Sequence, residues 1–158
     1  MTYHYPVKLI FLILFLLSST VLSAQKLSYT GFPSVVWPKL YNVSYTRTEE
    51  KGIEYEKPVF TKEVRALDGK VVTLPGFLVP FDGGMKAKRF MLSSLPLNAC
   101  FFCGVGGPET VVEVFSVKDV TYTDKPVQVT GTLRLNDSDP DRLIYTLEKA
   151  EFLGEIDF

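Results

Sequence analysis

Most of the chain after residue 59 consists of short strand-like segments, with no strong amphipathic helix between them. The clearest is PVQVTGTLRLN, where apolar and polar side chains alternate with the two-residue period of a half-buried strand. The side chains predicted to face the core are Val127, Val129, Leu133 and Leu135. Parallel βαβ folds need crossover helices, so this pattern disfavours them.

Four further segments have strand character: VVTLPGFLVPF, RFMLSS, TVVEVFSV and RLIYTLEKAEFLGEI. In the first, Pro75 and Gly76 predict a bend or a bulge rather than a helix. Five strands of this kind predict an all-β, mainly antiparallel fold, and a small OB-like barrel is favoured because a closed barrel leaves no open edges. A β-sandwich is the second choice.

The first 24 residues have the layout of a secretory signal peptide. Lys8 precedes an apolar run, Leu9–Leu17, and small residues lead to Ala24. That run is about half of the roughly 20 residues that a membrane-spanning helix needs. We therefore predict cleavage near Ala24, a periplasmic or secreted protein, and no membrane span afterwards. An uncleaved anchor is the alternative.

Residues 25–58 are predicted to be an irregular extension, because Pro33 and Pro38 interrupt any long helix. A short helix near residues 34–40, capped by Ser34, is compatible with this part of the chain. The single tryptophan, Trp37, is expected to close one end of the core. Residues 59–158 are predicted to form the barrel domain.

Composition excludes several kinds of chemistry. The only histidine, His4, lies in the predicted signal peptide, so the mature chain has no residue for a Ser-His-Asp triad, a Cys-His pair or a histidine-containing zinc site. The chain has 17 Lys and Arg against 18 Asp and Glu, and removal of Lys8 leaves an acidic excess. Nucleic-acid binding is therefore not expected, since the chain has no excess of basic side chains to neutralise the phosphates of a nucleic acid.

The two cysteines, Cys100 and Cys103, form a C-x-x-C motif with three interpretations. In an exported chain they are expected to form a disulfide with a structural role. Thiol-disulfide exchange is the second interpretation, but the following glycines do not open a helix that could stabilise a thiolate. The third is a zinc or copper site, which would need further ligands such as Glu109 or a second chain.

Other polar motifs are expected to be structural. The glycines Gly104, Gly106 and Gly107 could present backbone N–H groups to an anion, although the loop leads into a strand. Three polar stretches are predicted to be turns: Asp82–Gly84, Lys86–Arg89 and Asn136–Asp141. The last has three aspartates but lacks the glycine and the distal glutamate of a calcium loop.

Taken in order, the stretches LDGKVVTLPGFLVPF, FML, CFFCGVGGP, VQVTGTLRL and YTLEKAEF resemble a family of small exported bacterial proteins with an OB-like barrel and no assigned function. The resemblance covers about residues 60–152. It implies a barrel and an extracytoplasmic location. Members of this family are encoded near transporter components, which implies an accessory role in transport. The resemblance assigns no catalytic residue.

From the residues and the resemblance together, we expect a non-catalytic binding or adaptor module, not an enzyme, without a cofactor. It would present a barrel face and the loop of residues 100–108 to a protein partner or small ligand. A zinc- or copper-binding accessory protein and a periplasmic thiol-disulfide oxidoreductase are the alternatives, and both would use Cys100 and Cys103.

Overall fold

The computed structural model describes residues 32–50, 52–81, 84–97 and 104–157. The predicted signal peptide and both cysteines lie outside these residues. Within the part of the chain that is described, no helix is long and apolar enough to cross a membrane.

The first described segment forms a short helix and a hairpin. Helix α1 is Trp37–Leu40, and strands β1, Val43–Glu50, and β2, Ile53–Phe60, pair antiparallel. The prediction of an irregular extension did not include this hairpin, because its polar, charge-rich sequence lacks the apolar alternation of a half-buried strand. Only the base of the hairpin packs against the core, through Val43, Tyr45 and Phe60.

Ser34 caps the turn that precedes α1. Its Oγ accepts hydrogen bonds from the N–H groups of Val36 and Trp37, at 3.1 and 3.3 Å. The predicted short helix is therefore present, but it begins at Trp37. The predicted position of Trp37 in the core is confirmed: it is 2% exposed, and its indole N–H donates to the carbonyl of Pro75.

After a second short helix, α2, Lys62–Arg65, the remaining strands close into a five-stranded barrel. They are β3, Val71–Val79; β4, Lys86–Ser93; β5, Val111–Thr121; β6, Val127–Leu135; and β7, Tyr145–Glu155. The order around the barrel is β3-β4-β5-β7-β6, and β6 returns to β3. Every pair is antiparallel except β5–β7, which is parallel. The prediction of an OB-like, mainly antiparallel barrel is confirmed.

Alternation along the strands separates the barrel interior from its outer face. On β6, Val127, Val129 and Leu133 are fully buried, as the period-two pattern predicted. On β5, Val112 and Val114 belong to the hydrophobic core cluster, whereas Glu113 between them lines a cleft outside the barrel. The outer face of β5 is therefore the side on which a polar site can form.

Strand β3 changes its partner at Gly76. Residues 71–76 pair with β6, and residues 77–79 pair with β4. A Cβ atom at Gly76 would lie 2.7 Å from both Leu92 Cγ and the carbonyl oxygen of Ser93. The absence of a side chain there lets two strands approach closely where the barrel closes.

The predicted turn at Lys86–Arg89 is wrong. These residues form the first half of β4, where Lys86 pairs with Thr121 and Arg89 with Phe115 across a register shift. The basic cluster suggested a solvated turn, but Arg89 pairs with a buried carboxylate on β5. The predicted turn at Asn136–Asp141 is confirmed, since Asn136 Oδ1 accepts from the N–H groups of Ser138 and Asp139.

Candidate functional site

The residues predicted to form a functional loop are only partly described. Cys100 and Cys103 lie outside the described residues, so their disulfide, metal and redox interpretations stay predictions. Of the glycines, Gly104 has a positive φ of 79°. Gly107 lies so close to the carboxylate of Glu109 that a side chain there would overlap it. Within the described residues, no group of three or more metal-ligating side chains is present.

Glu109, proposed from the sequence as a metal ligand, accepts a hydrogen bond from Tyr45. The Tyr45 hydroxyl donates to Glu109 Oε2 at 2.9 Å and ties the hairpin to the 3-10 turn Pro108–Thr110. Burial raises the pKa of Tyr45, and the hydrogen bond to Glu109 raises it further. The pKa of Tyr145 is also raised, first by burial, and its hydroxyl donates to the carbonyl of Leu40.

These tyrosines predict a loss of stability at alkaline pH. Because folding raises their pKa values above the unfolded value of about 10, the folded state holds its phenolic protons where the unfolded chain has lost them. The stabilisation from neutral Tyr45 and Tyr145 is complete below about pH 10 and declines above it. Urea denaturation between neutral and alkaline pH measures this decline, and Tyr45→Phe should make it shallower. An equally steep decline in Tyr45→Phe would contradict the assignment for Tyr45.

A cleft of about 500 Å³ lies on the outer face of β4 and β5. The hairpin forms one wall, from Tyr45 and Pro58 near its base to Tyr55, and the loop of residues 136–144, between β6 and β7, forms another. Phe81, which follows β3, and Pro108 complete the border. Pro108 is the last residue of the loop predicted from the sequence. A volume of this size falls within the range of ligand sites, about 300–1,000 Å³.

The polar centre of the cleft is a cluster of Arg89, Glu113 and Arg142. The Glu113 side chain is only 3% exposed. Arg89 Nε and Nη2 each lie 2.7 Å from Glu113 Oε1, and Arg142 Nη2 lies 3.5 Å from Oε2. Two guanidinium groups therefore share one buried carboxylate, while both arginine side chains remain half-exposed. The cluster carries one net positive charge.

Aromatic faces hold the arginine side chains in position. The Arg89 guanidinium lies 4.6 Å from the ring centre of Phe81 and 5.6 Å from that of Phe115. Arg142 lies 5.9 Å from the Phe115 ring on the same side of β5. Contacts of this kind favour the charged group and restrict its rotamers. The two guanidinium groups are consequently pre-oriented at the bottom of the cleft.

The loop of residues 136–144 is organised by Asn136. Its Nδ2 donates to the carbonyls of Asp139, Arg142 and Leu143, at 2.7, 3.3 and 3.3 Å. These bonds fix the backbone from which Arg142 extends. Arg65, at the end of α2, pairs with Asp137 at 3.2 Å and links the same loop to this helix.

Carboxylates outnumber arginines along the cleft. Its described lining contains Arg89 and Arg142 as the basic side chains, and the acidic ones are Glu56, Glu113, Asp137, Asp139 and Asp141. The remaining walls are largely apolar or aromatic and include Tyr55, Pro58, Phe81, Met91 and Ile144. The cleft thus combines a cationic floor, an acidic loop and apolar walls.

Sequence analysis did not find this cluster, although one signal for it was present. Glu113 interrupts the apolar run VVEVF, and a glutamate in such a strand is rarely buried without a partner. The basic stretch that contains Arg89 predicts a turn, and no sequence pattern distinguishes Arg142 from the polar residues around it. The signal identified the carboxylate but neither arginine that binds it.

A search of curated proteins and a search of solved structures each find no significant match. A family model described as "Protein of unknown function (DUF3299)" matches residues 24–152. The match extends over the hairpin, the whole arginine cluster and most of the barrel, so the chain belongs to the DUF3299 family.

Proposed function

We propose that this protein is an exported, non-catalytic binding module whose ligand occupies the cleft on β4 and β5. The position of the cleft in the barrel carries the proposal. OB-fold barrels bind their ligands on the face of the second and third strands, between the loops that join strands one to two and four to five. In this barrel those strands are β4 and β5.

The two loops flanking the cleft also correspond to that arrangement. Phe81 belongs to the connection between β3 and β4, and the loop of residues 136–144 joins β6 to β7. The cleft, with its apolar walls and few convergent polar groups, has the general character of a ligand site. The argument from barrel position is a fold-level analogy, and the arrangement of charges adds support that is specific to this chain.

A non-catalytic role agrees with the chemistry in the cleft. Its carboxylate at the floor, Glu113, is bound to two arginines, so it is not positioned as a free nucleophile or base. The acidic loop disfavours a nucleic-acid ligand, because phosphates would be repelled by Asp139 and Asp141. We propose a small ligand or a segment of a protein partner, in the periplasm or outside the cell, with an accessory role in transport as the process.

Native mass spectrometry of the mature protein, isolated from its own compartment, tests this proposal. We expect the protein to retain an adduct, either a small molecule or a segment of a partner, that is lost in Phe81→Ser, because Phe81 lines the cleft and contacts Arg89. Phe152→Ser is the matched control, since Phe152 is a similarly exposed aromatic residue on β7 outside the cleft. An adduct that survives in Phe81→Ser, or no adduct on any form, would contradict the proposal.

The same spectra distinguish the alternatives that depend on Cys100 and Cys103. A mass lower by two hydrogens indicates a disulfide, and a bound zinc or copper ion indicates a metal-binding accessory protein. A mixture of reduced and oxidised protein that responds to a thiol buffer is expected of an oxidoreductase.

A further inference from the structure

The balance of charge in the cleft identifies a class of ligand for the proposed binding function. We infer that the cleft binds a molecule with a single carboxylate on an apolar or aromatic body, and that Arg89 and Arg142 bind the carboxylate. This inference rests on the proposed function, and it goes further by assigning the head group, the residues that recognise it and the permitted charge.

The arginines supply the first part of the argument. Guanidinium groups are planar and donate paired hydrogen bonds that fit a carboxylate. Arg89 contacts Glu113 through Nε and Nη2, and neither contact uses Nη1. Arg142 makes a longer contact of 3.5 Å through Nη2. Both side chains are half-exposed, so we expect their remaining N–H groups to donate to the carboxylate of the ligand.

Glu113 supplies the second part, because it limits the charge that the arginines can accept. It cancels one of the two positive charges and leaves one for the ligand. A monoanion restores neutrality at the floor of the cleft. A dianion, such as a phosphate monoester, would add an uncompensated negative charge beside a buried carboxylate.

The acidic loop strengthens this selection. Asp139 and Asp141 line the same cleft, and Glu56 extends from the hairpin wall. These carboxylates repel ligands that carry further negative charges. A ligand with one carboxylate, bound at the arginines and neutral elsewhere, avoids most of that repulsion. The apolar walls, with Pro58, Phe81 and Met91, then have a non-polar body to contact.

Four probes with the same phenyl ring and three-carbon chain but different head groups test the inference: 3-phenylpropionate, 3-phenylpropanol, 3-phenylpropylamine and 3-phenylpropyl phosphate. Nuclear magnetic resonance titration of the labelled protein locates each probe through the amides of Phe81, Met91 and Leu143. We expect 3-phenylpropionate to bind in the cleft about tenfold or more tightly than each of the other three probes. Equal binding of the alcohol, or tighter binding of the amine, would overturn the inference.

Two variants assign the effect to the cluster. Arg142→Gln should weaken the binding of 3-phenylpropionate about tenfold, whereas Arg134→Gln, which changes an arginine paired with Glu148 outside the cleft, should not.

Glu113→Gln keeps the shape of the side chain and removes its charge. It should reverse the preference towards 3-phenylpropyl phosphate, because two positive charges then face the ligand. No change of preference in a folded Glu113→Gln would contradict the role of Glu113.

Two further results separate this inference from the proposed function. Thermal melting shows whether Glu113→Gln is folded. If it is not, the comparison of Arg142→Gln with Arg134→Gln alone tests whether the cluster binds the carboxylate. A retained native adduct that is sensitive to Phe81→Ser, without preference for the carboxylate probe, would overturn the ligand class and leave the binding function standing. If the protein has no native adduct and no preference for the carboxylate probe, the binding function and the ligand class are both overturned.

Discussion

Replacing Trp37 by alanine is expected to lower the free energy of unfolding by about 3–5 kcal/mol, the usual cost of removing a large aromatic side chain from a core. Trp37 is 2% exposed and stacks on Tyr41 with ring centres 6.0 Å apart. The substitution also removes the 2.7 Å hydrogen bond to the carbonyl of Pro75, which leaves that oxygen without its indole partner. Both losses act where α1 packs against β3.

Two controls separate these effects. Trp37→Phe keeps an aromatic ring but not the N–H donor, so it should cost less, about 1–3 kcal/mol. Val35→Ala changes a neighbouring side chain that is 80% exposed and should stay within about 0.5 kcal/mol of the wild type. Urea denaturation followed by circular dichroism is suitable, because Trp37 is the single tryptophan and its fluorescence is lost. A cost below about 1 kcal/mol for Trp37→Ala would show that α1 does not close the core.

The second large effect is expected at Glu113, whose replacement by alanine should cost about 2–3 kcal/mol. Removing one partner of a buried ion pair typically costs about 3–5 kcal/mol. The value is lower here because Arg89 and Arg142 are half-exposed and regain water once the carboxylate is gone. What remains is the loss of two charge-assisted contacts, the repulsion between the arginines and the loss of packing at β5.

Glu148→Ala is the matched control for Glu113→Ala. Glu148 also pairs with an arginine, Arg134, at 3.2 Å, but both side chains are about half-exposed. An exposed pair of this kind contributes about 0–1 kcal/mol, so the control should change stability little. Denaturation of both variants in parallel measures the difference. Equal costs would contradict the view that burial makes the Glu113 contacts strong.

The barrel could be predicted from the sequence because its strands are encoded locally. The alternation on β6 and the apolar run of β3 involve only residues that are close in the sequence, and the structure has a strand at both places. The hairpin of β1 and β2 could not be found in this way. Its side chains are mostly exposed, so the sequence carries no burial pattern. The hairpin is defined by the hydrogen-bonded pairing of its two strands.

The arginine cluster was beyond the reach of sequence reasoning for a different reason. Glu113 stands out on β5, but Arg89 lies 24 residues earlier and reaches it only because β4 and β5 pair. Arg142 comes from a loop whose direction is set by Asn136 and by the closure of the barrel. Local patterns show which side chain needs a partner, whereas the partner's identity depends on strand register.

The parallel pairing of β5 with β7 has a consequence for the order in which this protein folds. Strand β7 is the last strand in the sequence, yet it separates β5 from β6 in the barrel. Until β7 is available, β5 lacks one neighbour, β6 pairs only with β3, and the barrel cannot close. Non-local pairing of this kind is slow to form. The growing chain therefore cannot complete its barrel before β7 has been synthesised, whichever of the earlier strands pair first.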